Sequence, residues 1–329
     1  MGRLVLDVLM LSVRVSSPSE LSHAVEALLA ADPHVSSLTI LRDASVQPKG
    51  DVFIADIPRE RANPLVDSLR ALGVHHEGTI ALNPVETWIS QTGLRAEELA
   101  PGQSADAVVW AEVTERAYED SQLTWTYISF MILATLLAAI AIVTDSTILV
   151  IGAMVLGPEF VPIAALGLAM VRKRPKLLRQ ALRTLIIGFA ISITLVTLLA
   201  LVCNVTNLVD FNEASSPRPG TNFIYHANWW SLVVAVIAGA AGVLSLTASK
   251  GNGLVGVFIS VTTIPASGNI ALGLAYGIWN QVLGSSIQLV VNISGMALAG
   301  WLTLLLQQRI WKRITQAKVQ RAQLRQADR

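Results

Sequence analysis

Hydrophobic and polar positions change their period along this chain. Over the first 87 residues, strand-like and helix-like stretches alternate. Residues 4–15 (LVLDVLMLSVRV) are rich in β-formers and end at Ser16-Ser17-Pro18. Residues 19–31 place Leu21, Val25, Leu28 and Leu29 at helical spacing. Residues 35–41 and 51–57 alternate like strands around the turn Gln47-Pro48-Lys49-Gly50. Residues 61–72 return to a helical period, with Gly73 as the expected C-cap, and residues 78–85 supply a last strand. The order βαββαβ predicts a ferredoxin-like split βαβ domain over residues 1–87.

From Trp125 onward the pattern becomes six apolar runs, each near the roughly 20 residues a bilayer span needs. They cover residues 126–144, 147–171, 184–206, 229–248, 252–276 and 283–306. Trp125, Trp229, Trp230, Trp279 and Trp301 stand near their ends, as an interfacial belt would. Between the two regions, residues 88–124 read as a linker marked by Glu97, Glu98, Pro101 and Gly102. An amphipathic helix follows, with Val108, Val109, Val113 and Tyr118 as its apolar stripe. It is expected to lie at the membrane edge or to pack on the soluble domain.

Composition sharpens this division. Of the 329 residues, 53% are apolar and only 14% charged, against about 25% charged in soluble domains. The net charge of +1 conceals an asymmetry: residues 1–124 hold 18 acids and 9 bases, and residues 125–329 hold 5 acids and 15 bases. A disordered chain, a nucleic-acid binder and a disulfide scaffold are excluded, since the apolar content is high, the pI of 7.9 is ordinary and Cys203 has no partner. Residues 1–13 do not read as a signal peptide, because Asp7 interrupts the apolar run and Arg14 follows it. Gly2 is not a myristoylation site, because Leu6 stands where that motif wants a hydroxyl.

Basic residues orient the expected spans. Arg172, Lys173, Arg174, Lys176, Arg179 and Arg183 lie between the second and third, and the tail beyond residue 308 adds seven more bases. Placing both groups inside predicts a multi-pass protein of the plasma (inner) membrane with N- and C-termini cytoplasmic. Membrane lipid is the expected partner of these bases, and no nucleic acid is.

The second and fifth runs resemble one another. Ala165-Leu166-Gly167-Leu168-Ala169 recurs as Ala271-Leu272-Gly273-Leu274-Ala275, each preceded by a proline-bearing stretch. A three-span unit repeated once must invert, and matching Gly/Pro-interrupted helices point to a transporter's binding site. Pro158 and Pro265 lie about ten residues into their runs, roughly 15 Å at 1.5 Å per residue. Pro158, Pro162 and Pro265 free the carbonyls of Met154, Pro158 and Val261, which suit cations, while the half-helix N-termini beyond them suit anions.

Glu159 is the one carboxylate expected near the bilayer centre, where a charged side chain costs at least about 2–3 kcal/mol on insertion scales. That points to a proton or cation ligand, or to a half-helix cap. Its polar companions are Thr262, Thr263, Ser267, Asn269, Gln288 and Asn292. Asn269 follows the second break. Thr and Ser are expected to bond back to their own helix. Gln288 and Asn292 share one face, either lining a cavity or joining helices. Asp145 with Ser146 is expected to cap the second span. Gly251, Gly253 and Gly256 spell G-x-G-x-x-G with no preceding strand, so they read as a turn. His75-His76 reads as a solvated turn, and no metal or cofactor is expected.

The run from Thr144-Asp145-Ser146 through Ile151-Gly152-Ala153-Met154 to Pro158 and Pro162 resembles the family named "domain of unknown function 389", hydrophobic and mainly prokaryotic proteins. So do Gly256-Val257-Phe258 through Pro265, and Asn292 followed by Gly295 and Gly300. Glu159 and Ala266 depart from the commoner pattern, which implies an apolar residue and a proline there. The resemblance supports the membrane architecture and supplies no substrate.

Together these features lead to the expectation of a homo-oligomeric, six-span all-α membrane domain with an inverted 3+3 repeat, over residues 125–308. A basic tail over 309–329 and the ferredoxin-like domain complete it. The expected function is a transporter or channel for a small solute or ion, bound by Pro158, Glu159, Pro162, Pro265, Ser267, Asn269, Gln288 and Asn292. The alternative is a sensor or scaffold whose soluble domain binds a ligand or partner. An enzyme is not expected: the runs contain no His, no paired carboxylates and no base beside Cys203.

Overall fold

The structure is a computed structural model that describes residues 10–85, 90–100, 108–209, 220–221, 224, 229–247 and 263–327. Outside them lie the start of the first predicted strand, the glycine turn at 251–256, Thr262, most of the 215–220 loop and the first half of the predicted fifth span. The chain divides into two compact units, one of residues 1–113 with 247–250 and 309–329, the other of residues 114–246 with 251–308.

The N-terminal unit contains β1 (Met10–Pro18), α1 (Ser19–Ala31), β2 (Ser37–Val46), β3 (Lys49–Pro58), α2 (Ala62–Ala71), α3 (Val74–Glu77) and β4 (Thr79–Val85). Every neighbour in the sheet is antiparallel and the strand order is β2-β3-β1-β4. That order places β3 between β1 and β2, and β1 between β3 and β4, the arrangement of a split βαβ unit. Strand alternation sets the core. Leu11, Val13 and Val15 of β1 and Phe53, Ala55 and Ile57 of β3 are buried against Val25 and Leu29 of α1 and Leu65 and Leu69 of α2. Each large side chain buried there contributes about 1.5–3 kcal/mol. Gly73 ends α2 at φ +83°, a left-handed value that suits glycine. His75 and His76, expected in a turn, lie in α3 instead.

Two helices follow, α4 (Gln91–Leu99) and α5 (Trp110–Asp120). The Asn63 amide clamps the approach to α5: Nδ2 donates to the Val108 carbonyl at 2.6 Å and Oδ1 accepts from the Trp110 amide at 2.9 Å. Val109, held between them, joins the core of this unit. Arg59 adds an ion pair to Glu112 at 2.9 Å. The first part of the apolar stripe therefore packs on the N-terminal unit.

The second unit is helical: α6 (Trp125–Val143), α7 (Thr147–Leu156), α8 (Phe160–Val171), α9 (Pro175–Val205), α10 (Trp229–Thr247), α11 (Ile264–Tyr276) and α12 (Trp279–Ala327), the last of which belongs to it as far as Gln308. Among the described residues four helices are long and apolar enough to cross a bilayer, or five if α7 and α8, bent by 56°, count as one broken span. The expected six is not reached, because residues 248–262 fall outside the description and α11 alone has 13 residues. Large apolar side chains are exposed along these helices, among them Leu133, Ile148, Leu198, Ile237 and Leu302, and Trp125, Trp229 and Trp279 are exposed at helix starts. Helices of this composition with apolar outer faces suggest a membrane protein.

Glycines set close helix contacts at two places. A Cβ on Gly268 of α11 would stand 2.9 Å from the Ala139 amide of α6. A Cβ on Gly239 of α10 would stand 2.4 Å from the Met296 carbonyl of α12.

Candidate site at the two buried half-helices

The chain breaks at Gly157-Pro158-Glu159, where a proline interrupts an otherwise apolar helix. The expected free carbonyl at Met154 is not free, however. The Gly157 amide donates to it at 3.3 Å, a tighter turn that replaces the bond Pro158 cannot make. Pro162 also differs from expectation. It lies in the first turn of α8, where backbone amides have no intrahelical acceptor, so it breaks nothing. Pro265 occupies the first turn of α11 in the same way, behind its N-cap Thr263.

α8 and α11 are unusual for their burial. Pro162 through Ala169 of α8 are enclosed, and so is α11 from Ile264 to Tyr276 apart from Leu274. At 12 and 13 residues, or about 18–20 Å at 1.5 Å per residue, each is too short to cross a ~30 Å hydrocarbon core.

Their directions follow from their neighbours. Ser267 of α11 lies beside Thr135 of α6 (3.1 Å between hydroxyls), Gly268 lies against Ala138, and Tyr276 clusters with Ile142. α11 therefore runs with α6. α9 does too, from Gly188 against Tyr127 to Ala200 beside Ile142. α8 arrives from the far end of α6 through α7 and leads into the start of α9, so it runs against both, and against α11.

The N-termini of α8 and α11 meet. Glu159, N-cap of α8, is fully buried, and its Oε1 accepts a hydrogen bond of 2.7 Å from the hydroxyl of Thr263, N-cap of α11. Thr263 was expected to bond within its own helix, and instead joins two segments 104 residues apart. Two helix N-termini, each equivalent to about half a positive charge, face one carboxyl group.

The other expected residues fall into two groups. Ser267 donates to the Ile264 carbonyl at 2.7 Å, within its own helix as expected. Asn269 is buried, and its Nδ2 donates to Ser285 of α12 at 2.9 Å. On α12, Gln281, Ser285, Gln288 and Asn292 recur at spacings of four, three and four, one helical stripe. Gln288 and Asn292 are buried, and neither Gln288 Oε1 nor either amide atom of Asn292 has a hydrogen-bond partner among the described residues. Buried amides of this kind are rare in native proteins and call for an explanation. Ser285 and Gln281 were not foreseen, although their spacing from Gln288 is visible in the sequence.

Asp145 corrects another expectation. Ser146 alone caps α7, accepting from the Leu149 amide. Asp145, at φ +46°, instead receives the Gly220 amide at 3.2 Å and the Thr221 hydroxyl at 2.9 Å.

A cleft of about 590 Å³ opens beside the break. It is lined by Gly157, Pro158, Phe160 and Tyr127, with Glu119 and Asp120 of α5. It reaches both chain neighbours of Glu159, while the Glu159 side chain is enclosed behind them. Burial, and then the neighbouring Glu119, push the Asp120 carboxyl above its ordinary range; Arg116 opposes them. Among the described residues no three of His, Cys, Asp and Glu gather as a metal site requires.

No solved structure matches the chain. A curated relative, the "Uncharacterized protein MJ0678" of Methanocaldococcus jannaschii, is 24% identical over 203 residues. That match takes in 62% of this chain and spans only 61% of the relative's own length. Residues 154–298, from the end of α7 through the break, both buried half-helices and the polar stripe of α12, match the model of the family described as "Domain of unknown function (DUF389)".

Proposed function

We propose that the chain is a membrane transporter or channel for a small polar solute or ion, with its site where the N-termini of α8 and α11 meet. The observation that carries this reading is the Glu159–Thr263 hydrogen bond. Two buried half-helices of opposite direction, joined at their positive ends, are the arrangement that broken-helix transporters use to hold charge. The repeated Ala-Leu-Gly-Leu-Ala runs within them, and the correspondence of α6, α7–α8 and α9 with α10, residues 252–276 and α12, support an inverted repeat of six spans. The unmet Gln288 Oε1 and the unmet amide of Asn292 offer acceptors and a donor to a solute, and Glu159 supplies the coupling charge.

The basic residues after α8 and in the tail support cytoplasmic termini in the plasma membrane. Self-association is part of the same reading. The test is a thermal-stability screen of purified protein with ions and small solutes, followed by flux into lipid vesicles. A ligand that stabilises wild type and not Glu159→Gln, and that enters vesicles only with wild type, is the expected outcome. Ligands that act equally on both, with no flux, would sink the proposal.

The sensor reading has one observation of its own. A cleft of about 290 Å³ in the N-terminal unit is lined by Asp32, Arg61, Pro64 and Ser68. A ligand whose stabilising effect is lost in Arg61→Ala and kept in Glu159→Gln would favour it.

A further inference from the structure

A hollow of about 230 Å³ lies between α6 and α9. α6 lines it with Leu136, Ala139, Ile140 and Val143, and α9 with Val196, Leu199, Ala200 and Cys203. Both sets recur at i, i+3, i+4 and i+7, so each is a single face of its helix. Ala139 and Ala200, both buried, are the short side chains that leave the room. The back wall is α11, through the buried Leu272 and Tyr276. Tyr276 closes the hollow at the helix ends, where its hydroxyl donates to the Val209 carbonyl at 3.0 Å. Ile140 and Leu199, 46% and 43% exposed, form the two lips of the mouth.

Polarity and width decide what fits. The two hydroxyls of the lining are engaged within the protein, Tyr276 with Val209 and Thr144 with the Ile140 carbonyl at 2.9 Å. A polar ligand would give up its hydration there and gain no hydrogen bond in return. From Leu136 to Thr144 the hollow runs about 12 Å at 1.5 Å per residue, which gives it a mean cross-section of about 20 Å². An α-helix about 10 Å across needs about 80 Å², so the helix of a second copy does not enter. A single hydrocarbon chain is narrow enough. The mouth also opens on the apolar outer faces of α6 and α9, beside the exposed Leu133, Leu195 and Leu198. In a membrane protein the medium against such faces is bilayer hydrocarbon.

We propose that this hollow holds one acyl chain of a bilayer phospholipid, lying between α6 and α9 against α11. The chain completes the packing at the C-terminal end of the half-helix whose N-cap, Thr263, bonds to Glu159. The inference rests on the membrane placement of the second unit and stands apart from transport.

The test uses the full chain in phosphatidylcholine vesicles that contain a phosphatidylcholine with a photoactivatable diazirine in one acyl chain. Cross-links are then mapped by mass spectrometry. Leu272 and Tyr276 are the diagnostic residues, because at 5% and 7% exposure they lie beyond the reach of lipid that merely surrounds the protein. Labels on both are expected in wild type, alongside labels on the exposed Leu133 and Leu198. Ala200→Leu fills the hollow from within, and Cys203→Phe fills it from the half-buried rim, where a larger side chain disturbs the packing less. Each is expected to lose the α11 labels while keeping those on Leu133 and Leu198, which report a folded and inserted protein. An unlabelled α11 in wild type overturns the proposal, and so do α11 labels that persist in both variants. An unlabelled α11 together with disulfide-linked dimers through Cys203, the chain's single cysteine, would assign the hollow to a second copy instead.

Discussion

Thr263 donates to Glu159 at 2.7 Å, and each residue is the N-cap of a buried half-helix. The bond joins segments that no local interaction could bring together. Replacing Thr263 with Val keeps the shape and removes a donor to a buried carboxyl, a loss on the order of 1–3 kcal/mol. A lower melting temperature in detergent is expected for Thr263→Val and a near wild-type one for Thr263→Ser. Equal melting of both would show that the bond does not join the half-helices.

Asn292 should behave in the opposite sense. Both its amide atoms are buried without a partner among the described residues, so an apolar replacement relieves a cost the fold already bears. Asn292→Leu is expected to melt at or above the wild-type temperature without ligand and to lose flux. Stability and activity falling together would assign it a structural role.

Gly239 tests the packing of α10 on α12. A Cβ there meets the Met296 carbonyl at 2.4 Å and its Cα at 2.7 Å, backbone atoms that cannot rotate away. Gly239→Ala is expected to cost about 1–3 kcal/mol, read as a lower melting temperature. Gly277→Ala meets no atom but suffers its φ of +71°, for about 1 kcal/mol.

The N-terminal unit has its own pH signature. Burial raises the Asp32 carboxyl, but the His34 ring and amide and the Arg61 guanidinium outweigh it, holding Asp32 well below its ordinary 3.8. A lowered carboxyl stabilises the folded state in full above its unfolded value and loses that contribution as pH falls through the folded one. Amide-exchange protection of β1 and β3 should therefore decline below pH 3.8 in wild type. In Asp32→Asn that step should be weaker, with lower protection at neutral pH; identical profiles would remove Asp32 from the account.

Much of this was legible in the sequence because it depends on local periodicity. The strand alternation of Leu11, Val13 and Val15 and the helical spacing of Val25 and Leu29 are fixed by which face is apolar. The βαββαβ order followed from those periods and from Gly73. The break at Pro158 was legible for a similar reason, since proline removes a donor wherever it stands. The charge split at Trp125, the candidate residues Glu159, Gln288 and Asn292, and the family resemblance carried by residues 144–162, 256–265 and 292–300 needed no coordinates either.

Partners distant along the chain were not legible. The sequence places Glu159 at a break and Thr263 before a proline, but their meeting depends on α8 and α11 packing in opposite directions among α6, α9 and α12. Glycines such as Gly268 permit that packing without specifying it. Whether Met154 keeps a free carbonyl, whether Tyr127 meets the cleft and whether Asn292 finds a partner depend likewise on contacts across tens to hundreds of residues. Periodicity carries one helix's or strand's own geometry, and only tertiary packing decides which buried polar atoms meet.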